Sequence, residues 1–434
     1  LDIPLALYTC LATWMGYRYV VGADGEKWRL YLFYLFSSLA FLTKGLIGVV
    51  FPSAILVLWL IVSRQWRRIP GLISPVGIAL FLAIAGPWFI LVQRVHPNFL
   101  WFFFIQEHVL RYTTTMHGRD NTVFLYVPII ILGILPWTAF VVKAAWAMHR
   151  EKISSPPLPG NRFLWTWIIL IFIFFSLSHS KLVPYIAPIF IPLSVLMGHR
   201  LRNYEDLVLN LREKKESFLL QIPVLLQSLL LISLFLLPFF LPKGSKLGGD
   251  LSIVYSSELP WLIALPVFCQ LLLFILPEVI KKRYPDGWFI SVYLLSGLFL
   301  LAMTPSFAAF LTPYKSAYPA SQAVKQLIPT GHELYQYKTI VYGIATYNEI
   351  RTPLVGDFGE LNYGVNYLPR EERDHYFLTE EQFKTRCRKG GAVYCLTQYK
   401  DRYDELISIF PDHEVLWSNG SYYLLKLRCR PDHS

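Results

Sequence analysis

The chain has 434 residues, 54% of them hydrophobic and only 16% charged, where an average globular protein carries about 25% charged residues. That balance excludes a single soluble core and points to a chain that crosses a membrane many times. The net charge of +11 comes without a basic and aromatic stripe, so it suits cytoplasmic loops rich in Lys and Arg rather than a nucleic-acid surface.

In chain order, apolar runs lie at 1–17, 29–43, 45–62, 72–92, 123–147, 163–178, 182–198, 218–241, 260–280 and 288–311. A spanning helix takes roughly 20 residues, so these runs predict about ten spans. The runs at 29–43, 163–178 and 182–198 are short and must borrow flanking residues. No internal repeat is evident. The chain opens at Leu1 inside an apolar run, with no initiating Met. We therefore expect a longer gene product that extends upstream.

Alternate loops are basic. Those at 18–29, 64–68, 143–162, 199–217 and 281–283 hold eighteen Lys and Arg, and the opposite set holds seven. The positive-inside rule places the basic set in the cytoplasm. Asp2, the Thr43-Lys44-Gly45 junction, the 93–122 loop and the His179-Ser180-Lys181 turn then share the outer face. So does everything after about residue 312. The expected organisation is a membrane domain at 1–311 and an extracytoplasmic α/β domain at 312–434.

Ionisable groups at membrane depth are costly and each asks for a reason. Asp2 precedes Pro4 at an outer helix end and suits a helix N-cap. Lys44 lies between two apolar runs, where its ammonium meets a lipid phosphate or simply snorkels. In Phe102–Tyr112, FFFIQEHVLRY, an aromatic wall runs into Glu107, His108 and Arg111. As an α-helix, this stretch puts His108 and Arg111 on one face and allows a Glu107–Arg111 ion pair. Glu107 and His108 can contribute to a divalent metal site, though two ligands do not complete one. Arg111 can fork onto a phosphate. The bland alternative is an amphipathic helix lying on the interface. Lys181 sits in a tight hairpin at phosphate height, and Tyr185, one turn deeper, can donate to the same anion.

In the tail, Pro319 and Pro329 bracket a helix. Thr379-Glu380-Glu381-Gln382 is a capping box that opens a helix ending near Gly390. Ala392–Thr397 reads as a buried strand and Lys400–Phe410 as a helix. Asn419-Gly420 joins strands at 413–418 and 421–427 in a hairpin. Gly356-Asp357-Phe358-Gly359-Glu360 reads as a solvated turn. Cys387 and Cys395 bracket a helix-to-strand turn, and geometry must decide whether they pair.

Four stretches, in order, resemble a known family. Asp2-Ile3-Pro4-Leu5 looks like its D-x-P-L opening. Thr43-Lys44-Gly45-Leu46-Ile47-Gly48, followed by Val49-Val50-Phe51-Pro52, is similar to its K-G-x-x-G-x-x-x-P segment. Gly86-Pro87-Trp88 with Phe102–Tyr112 resembles P-W…F-F-x-x-E-H-x-x-R. Ser180-Lys181-Leu182-Val183-Pro184-Tyr185 resembles S-K-L-P-x-Y, shifted by Val183. Together they resemble the bacterial protein-mannosyltransferase-like glycosyltransferases, closest to the branch that adds aminoarabinose to lipid A.

The resemblance implies the multi-helix GT-C fold. It also implies transfer of a sugar from a polyprenyl-phosphate carrier to a lipid or protein acceptor at the outer face of the bacterial inner membrane. Lys44, Arg111 and Lys181 would hold the carrier phosphate, and Tyr185 would support it. Glu107 and His108 would shape the site or bind a metal, and no nucleotide is expected. Asp2 matches the family's second acid. The main catalytic aspartate of the family follows its first spanning helix, and we expect its counterpart upstream of Leu1. The rival class is a transporter or lipid flippase, but such proteins place ionisable groups near the midplane and show repeats.

Overall fold

The computed structural model describes residues 2–22, 26–113, 122–134, 160–202, 315–390 and 392–429, with isolated positions between 229 and 312. The apolar runs at 218–241, 260–280 and 288–311 lie largely outside these residues. The chain forms two compact units, 1–223 and 224–434.

The first unit is helical. Its main helices are α1 (Asp2–Val21), α2 (Lys27–Lys44), α3 (Ile47–Val62), α4 (Pro75–Val95), α5 (Asn161–Leu177) and α6 (Phe190–Arg202). Each falls on an expected apolar run. Among the described residues, α4 is the helix long and apolar enough to cross a membrane by length and composition. The others pack against one another around Phe51, Ile55, Leu60, Phe163 and Ile171. Tyr17 joins three of them, stacked on Phe163 with ring centroids 4.3 Å apart and tilted against Trp59 at 5.1 Å. A side chain at Gly48 would run into the backbone of Ala40, so glycine there lets α2 and α3 approach closely.

At one end of this bundle, arginines close α1. Arg29 donates to the Arg18 carbonyl at 3.1 Å and Arg68 to the Val20 carbonyl at 3.0 Å. The Val20 carbonyl is among the last that the helix leaves without a helical partner, and the Arg18 carbonyl also accepts from Gly22 N–H at 2.9 Å. Nearby, Ser74 caps α4, accepting from Gly77 N–H at 3.2 Å, with Pro75 in the first turn. Tyr34 accepts from Ser74 N–H and donates to Leu72, which fixes the entry of α4 against α2.

Two segments depart from the α-helix that periodicity suggests. Phe102–Leu110 is π-helical, a wider turn that is common at functional sites. Val183–Ile189 is a 3-10 turn containing Pro184 and Pro188, which lack the N–H groups an α-helix would use.

The second unit holds a six-stranded sheet in the order β3-β2-β1-β4-β6-β5. Its strands are β1 (Leu334–Tyr337), β2 (Leu354–Val355), β3 (Phe377–Leu378), β4 (Ala392–Gln398), β5 (His413–Ser418) and β6 (Tyr422–Arg428). The first four pair in parallel, and β6 runs antiparallel to β4 and β5. Helices α7 (Tyr318–Leu327), α8 (Glu380–Gly390) and α9 (Lys400–Ile409) accompany the sheet. The capping box forms reciprocally: Gln382 N–H donates to Thr379 Oγ1 at 3.2 Å, and Thr379 N–H donates to Gln382 Oε1 at 2.8 Å. The Asn419-Gly420 hairpin also forms, with Gly420 at φ 80° and Asn419 Oδ1 accepting from two backbone N–H groups.

The cysteine pairing left open by the sequence resolves differently from Cys387 with Cys395. Cys387 is bonded to Cys429, with Cα atoms 5.6 Å apart. Cys395 is fully buried in the middle of β4, and burial pushes its thiol pKa up. Its place in the sheet core keeps it from the end of α8, where Cys429 arrives just past β6.

Candidate active site

The site gathers at the ends of α1 and α2. Asp2 begins α1 and Lys44 ends α2. Asp2 pairs with Lys44, its Oδ1 against the ammonium. Both side chains are about a quarter exposed, at 28% and 25%. Asp2 is thus an ion-pair partner rather than only a helix cap. The same ammonium lies 4.3 Å from the centre of the Tyr185 ring, a cation–π contact. Below them is a narrow cavity lined by Leu5, Thr9, Phe51 and Phe175. Asp2, Leu5 and Thr9 recur along one face of α1, the spacing of a helical stripe.

Thr9 is a residue that sequence reading missed. Its side chain is fully buried, and among the described residues its hydroxyl has no hydrogen-bond partner. The signal available was that spacing from Asp2. Tyr112 was also missed as a tie between segments. Its hydroxyl donates to the Phe174 carbonyl at 3.1 Å, and its own carbonyl accepts from His179 N–H at 3.1 Å. The 93–122 loop, α5 and the 179–185 turn are joined in this way.

The π-helical segment carries His108 against the Lys44 turn. His108 Nε2 accepts from Leu46 N–H at 3.1 Å, and Nδ1 faces the Phe103 carbonyl oxygen. A neutral imidazole protonated on Nδ1 satisfies both contacts. The lone pair of Nε2 is then occupied, and that is the electron pair a metal would take. Among the described residues, no group of three or more His, Cys, Asp or Glu side chains could hold an ion.

The three expected phosphate cations fare differently. Lys44 sits in the cluster. Lys181 is 4% exposed, held inside its turn rather than snorkelling. The Arg111 side chain lies outside the described residues. The expected pairing of Arg111 with Glu107 and its face shared with His108 lie there too.

A cation, a carboxylate and an aromatic ring at the end of a helical bundle suit the binding of an anionic group. The chain superposes on crystal structures of ArnT from Cupriavidus metallidurans. Against the form bound to undecaprenyl phosphate the TM-score is 0.75, at 22% identity, covering 98% of this chain and 74% of that one. Against the apo form the TM-score is 0.72. The chain shares the fold of these structures.

Curated relatives are named undecaprenyl phosphate-alpha-4-amino-4-deoxy-L-arabinose arabinosyl transferases. One from Pseudomonas fluorescens is 27% identical over 407 residues, 91% of this chain and 68% of the relative. Another from Pseudomonas paraeruginosa is 26% identical over 424 residues, 94% of this chain and 72% of the relative. A third, from Proteus mirabilis, is 34% identical over 174 residues, 39% of this chain and 30% of the relative. The chain is similar to these transferases over most of its length, and the resemblance read from its motifs is borne out. It spans less than the full length of each of them. No family model matches the chain.

Proposed function

We propose that this chain is a membrane glycosyltransferase that moves an aminoarabinose-type sugar from a polyprenyl-phosphate carrier to a lipid A-like acceptor. The observation that carries this reading is the meeting of Asp2, Lys44 and Tyr185, which come from three separate motif segments, in a fold shared with ArnT. Cleavage of the sugar–phosphate bond leaves its electron pair on the carrier phosphate. A preorganised cation in a site poor in water stabilises that charge as it develops. Lys44 supplies it, with Arg111 and Lys181 as further cations of the same site. The acceptor oxygen attacks the anomeric carbon and gives up its proton to a carboxylate. Asp2, paired with Lys44, is a carboxylate placed to take it. Tyr185 keeps the Lys44 ammonium in place from below.

The membrane domain extends through about residue 311, and the α/β domain from residue 312 faces outward. The Cys387–Cys429 disulfide supports that orientation, because such bonds persist in oxidising compartments and are rare in the cytosol. The acceptor is then reached from the outer side.

The test is sugar transfer from a purified polyprenyl-phosphate donor by the full chain in detergent or vesicles. Lys44→Met abolishes transfer while the protein remains folded. Transfer at the wild-type rate by this variant overturns the reading.

A further inference from the structure

In the proposed site everything turns on where the Lys44 ammonium is held, yet Lys44 is the last residue of its helix. Beyond it the chain reverses within two residues, through Gly45 at φ 77° and Leu46, and α3 begins at Ile47. A side chain at a helix end keeps a fixed position only if the turn itself is fixed. Besides the turn's own backbone hydrogen bonds, contacts from a side chain in another segment, 62 residues along the chain, hold it.

His108 makes those contacts with both ring nitrogens. Nε2 accepts the Leu46 N–H at 3.1 Å, one of the backbone donors that the start of α3 leaves without a helical partner. Nδ1 faces the carbonyl of Phe103, five residues back, a spacing that matches the wide π-helical turn. The Phe103 ring packs on the imidazole with centroids 4.7 Å apart. Gly45 completes the fit. A Cβ there would run into His108 Nε2 and lie 2.8 Å from Phe103 Cζ. Glycine thus supplies both the left-handed conformation and the space for the ring.

We propose that His108 is a positioning residue that clamps the Lys44 turn through its backbone and leaves no nitrogen lone pair for a metal. The clamp sets the height and aim of the ammonium that meets the carrier phosphate, so its effect falls on donor recognition. This inference rests on the reading of Lys44 as a donor-phosphate group, and the experiment separates the two.

The experiment compares the full chain with His108→Phe and His108→Gln. Phenylalanine keeps the ring and removes both polar atoms. Glutamine places an amide oxygen where Nε2 stood, able to accept the Leu46 N–H. Hydrogen exchange across residues 43–48 is read first, because it needs no substrate. It accelerates roughly ten-fold or more in His108→Phe, as expected when a buried N–H loses its acceptor, and returns toward wild type in His108→Gln. The KM for the polyprenyl-phosphate sugar rises by a similar factor in His108→Phe, with a smaller change in kcat, and recovers in His108→Gln. Bound divalent metal, measured on the purified proteins, is the same in all three. Gly45→Ala checks the other side of the contact and accelerates exchange in the same segment.

Unchanged exchange in both His108→Phe and Gly45→Ala overturns the clamp. So does one equivalent of metal in the wild type that is lost in His108→Gln. If the wild type transfers no sugar at all, the reading of the site falls, and the exchange data still decide the clamp.

Discussion

Lys44 and Tyr185 meet face-on, the ammonium 4.3 Å from the ring centre, while Asp2 holds the same ammonium from the start of α1. A single charge thus ties together α1, α2 and the proline-rich turn after α5. Breaking one partner of a buried ion pair costs about 3–5 kcal/mol, whereas exposed pairs contribute about 0–1. With both side chains about a quarter exposed, Lys44→Met or Asp2→Asn alone lowers stability by about 1–3 kcal/mol. The double variant recovers part of that loss, because neither charge is left unmatched. Activity does not recover with it. Thermal unfolding in detergent, read beside the transfer assay, checks both statements. Equal losses in the two single variants and a fully additive double variant would contradict the pairing.

Tyr185 can be tested without removing a charge. A cation–π contact of this kind is worth about 0.5–2 kcal/mol. Tyr185→Phe keeps the ring and leaves stability within about 0.5 kcal/mol of wild type. Tyr185→Leu loses the quadrupole and costs about 1 kcal/mol or more. If phenylalanine and leucine behave alike in thermal unfolding, the ring is packing and not a cation partner.

Much of this was legible before any coordinates. Charge asymmetry alone put Asp2, Lys44 and the 179–185 turn on one side, and the cluster of Asp2, Lys44 and Tyr185 fits that placement. Capping and hairpin residues located α8, β5 and β6 almost to the residue, because Thr379, Gln382 and Asn419 act through local hydrogen bonds that the sequence itself encodes. What could not be read is what depends on non-local packing. Nothing in QEHVLRY says that its turn is π-helical, or that His108 will spend both nitrogens on backbone groups. Thr9 looked like one more polar residue in a span until Asp2 and Lys44 closed above it. The choice of Cys429 over Cys395 rests on where β6 ends relative to α8, a property of the whole sheet.

In the α/β domain, Lys338 directly follows β1 and is clasped by Glu380 of α8 and Glu405 of α9. Hydrogen bonds that its ammonium donates to Glu380 and then Glu405 raise its pKa above the ordinary lysine value of 10.5. A lysine whose folded pKa is raised contributes stability that is fully present below the unfolded pKa. That stability fades as pH climbs from about 10.5 through the higher folded value. Lys338→Met removes this alkaline sensitivity and leaves two carboxylates facing each other, at a cost of about 1–3 kcal/mol. Urea unfolding of the full chain, followed by fluorescence between pH 8 and about pH 11, measures the difference in slope. Parallel pH profiles for wild type and variant would rule the clasp out as the source.

The Cys387–Cys429 bond joins α8 to the end of β6 across 42 residues of sequence. Closing a loop of that length removes unfolded-state entropy worth about 4 kcal/mol in the chain-entropy model, and measured values commonly run about 2–4. Cys387→Ser should lower the stability of the α/β domain by that amount, and reductant should do the same to the wild type. Cys395 cannot substitute, since it is buried within β4 and stays unreactive toward alkylating reagents until the domain unfolds. The same bond tests orientation. Peptide mapping of membranes alkylated at the moment of lysis should recover Cys387 linked to Cys429, because an outward-facing domain meets an oxidising compartment. Recovery of both as free thiols would place the domain on the reducing side. The outer face would then lose its α/β domain, and an acceptor site there would have to be built from the helical unit alone.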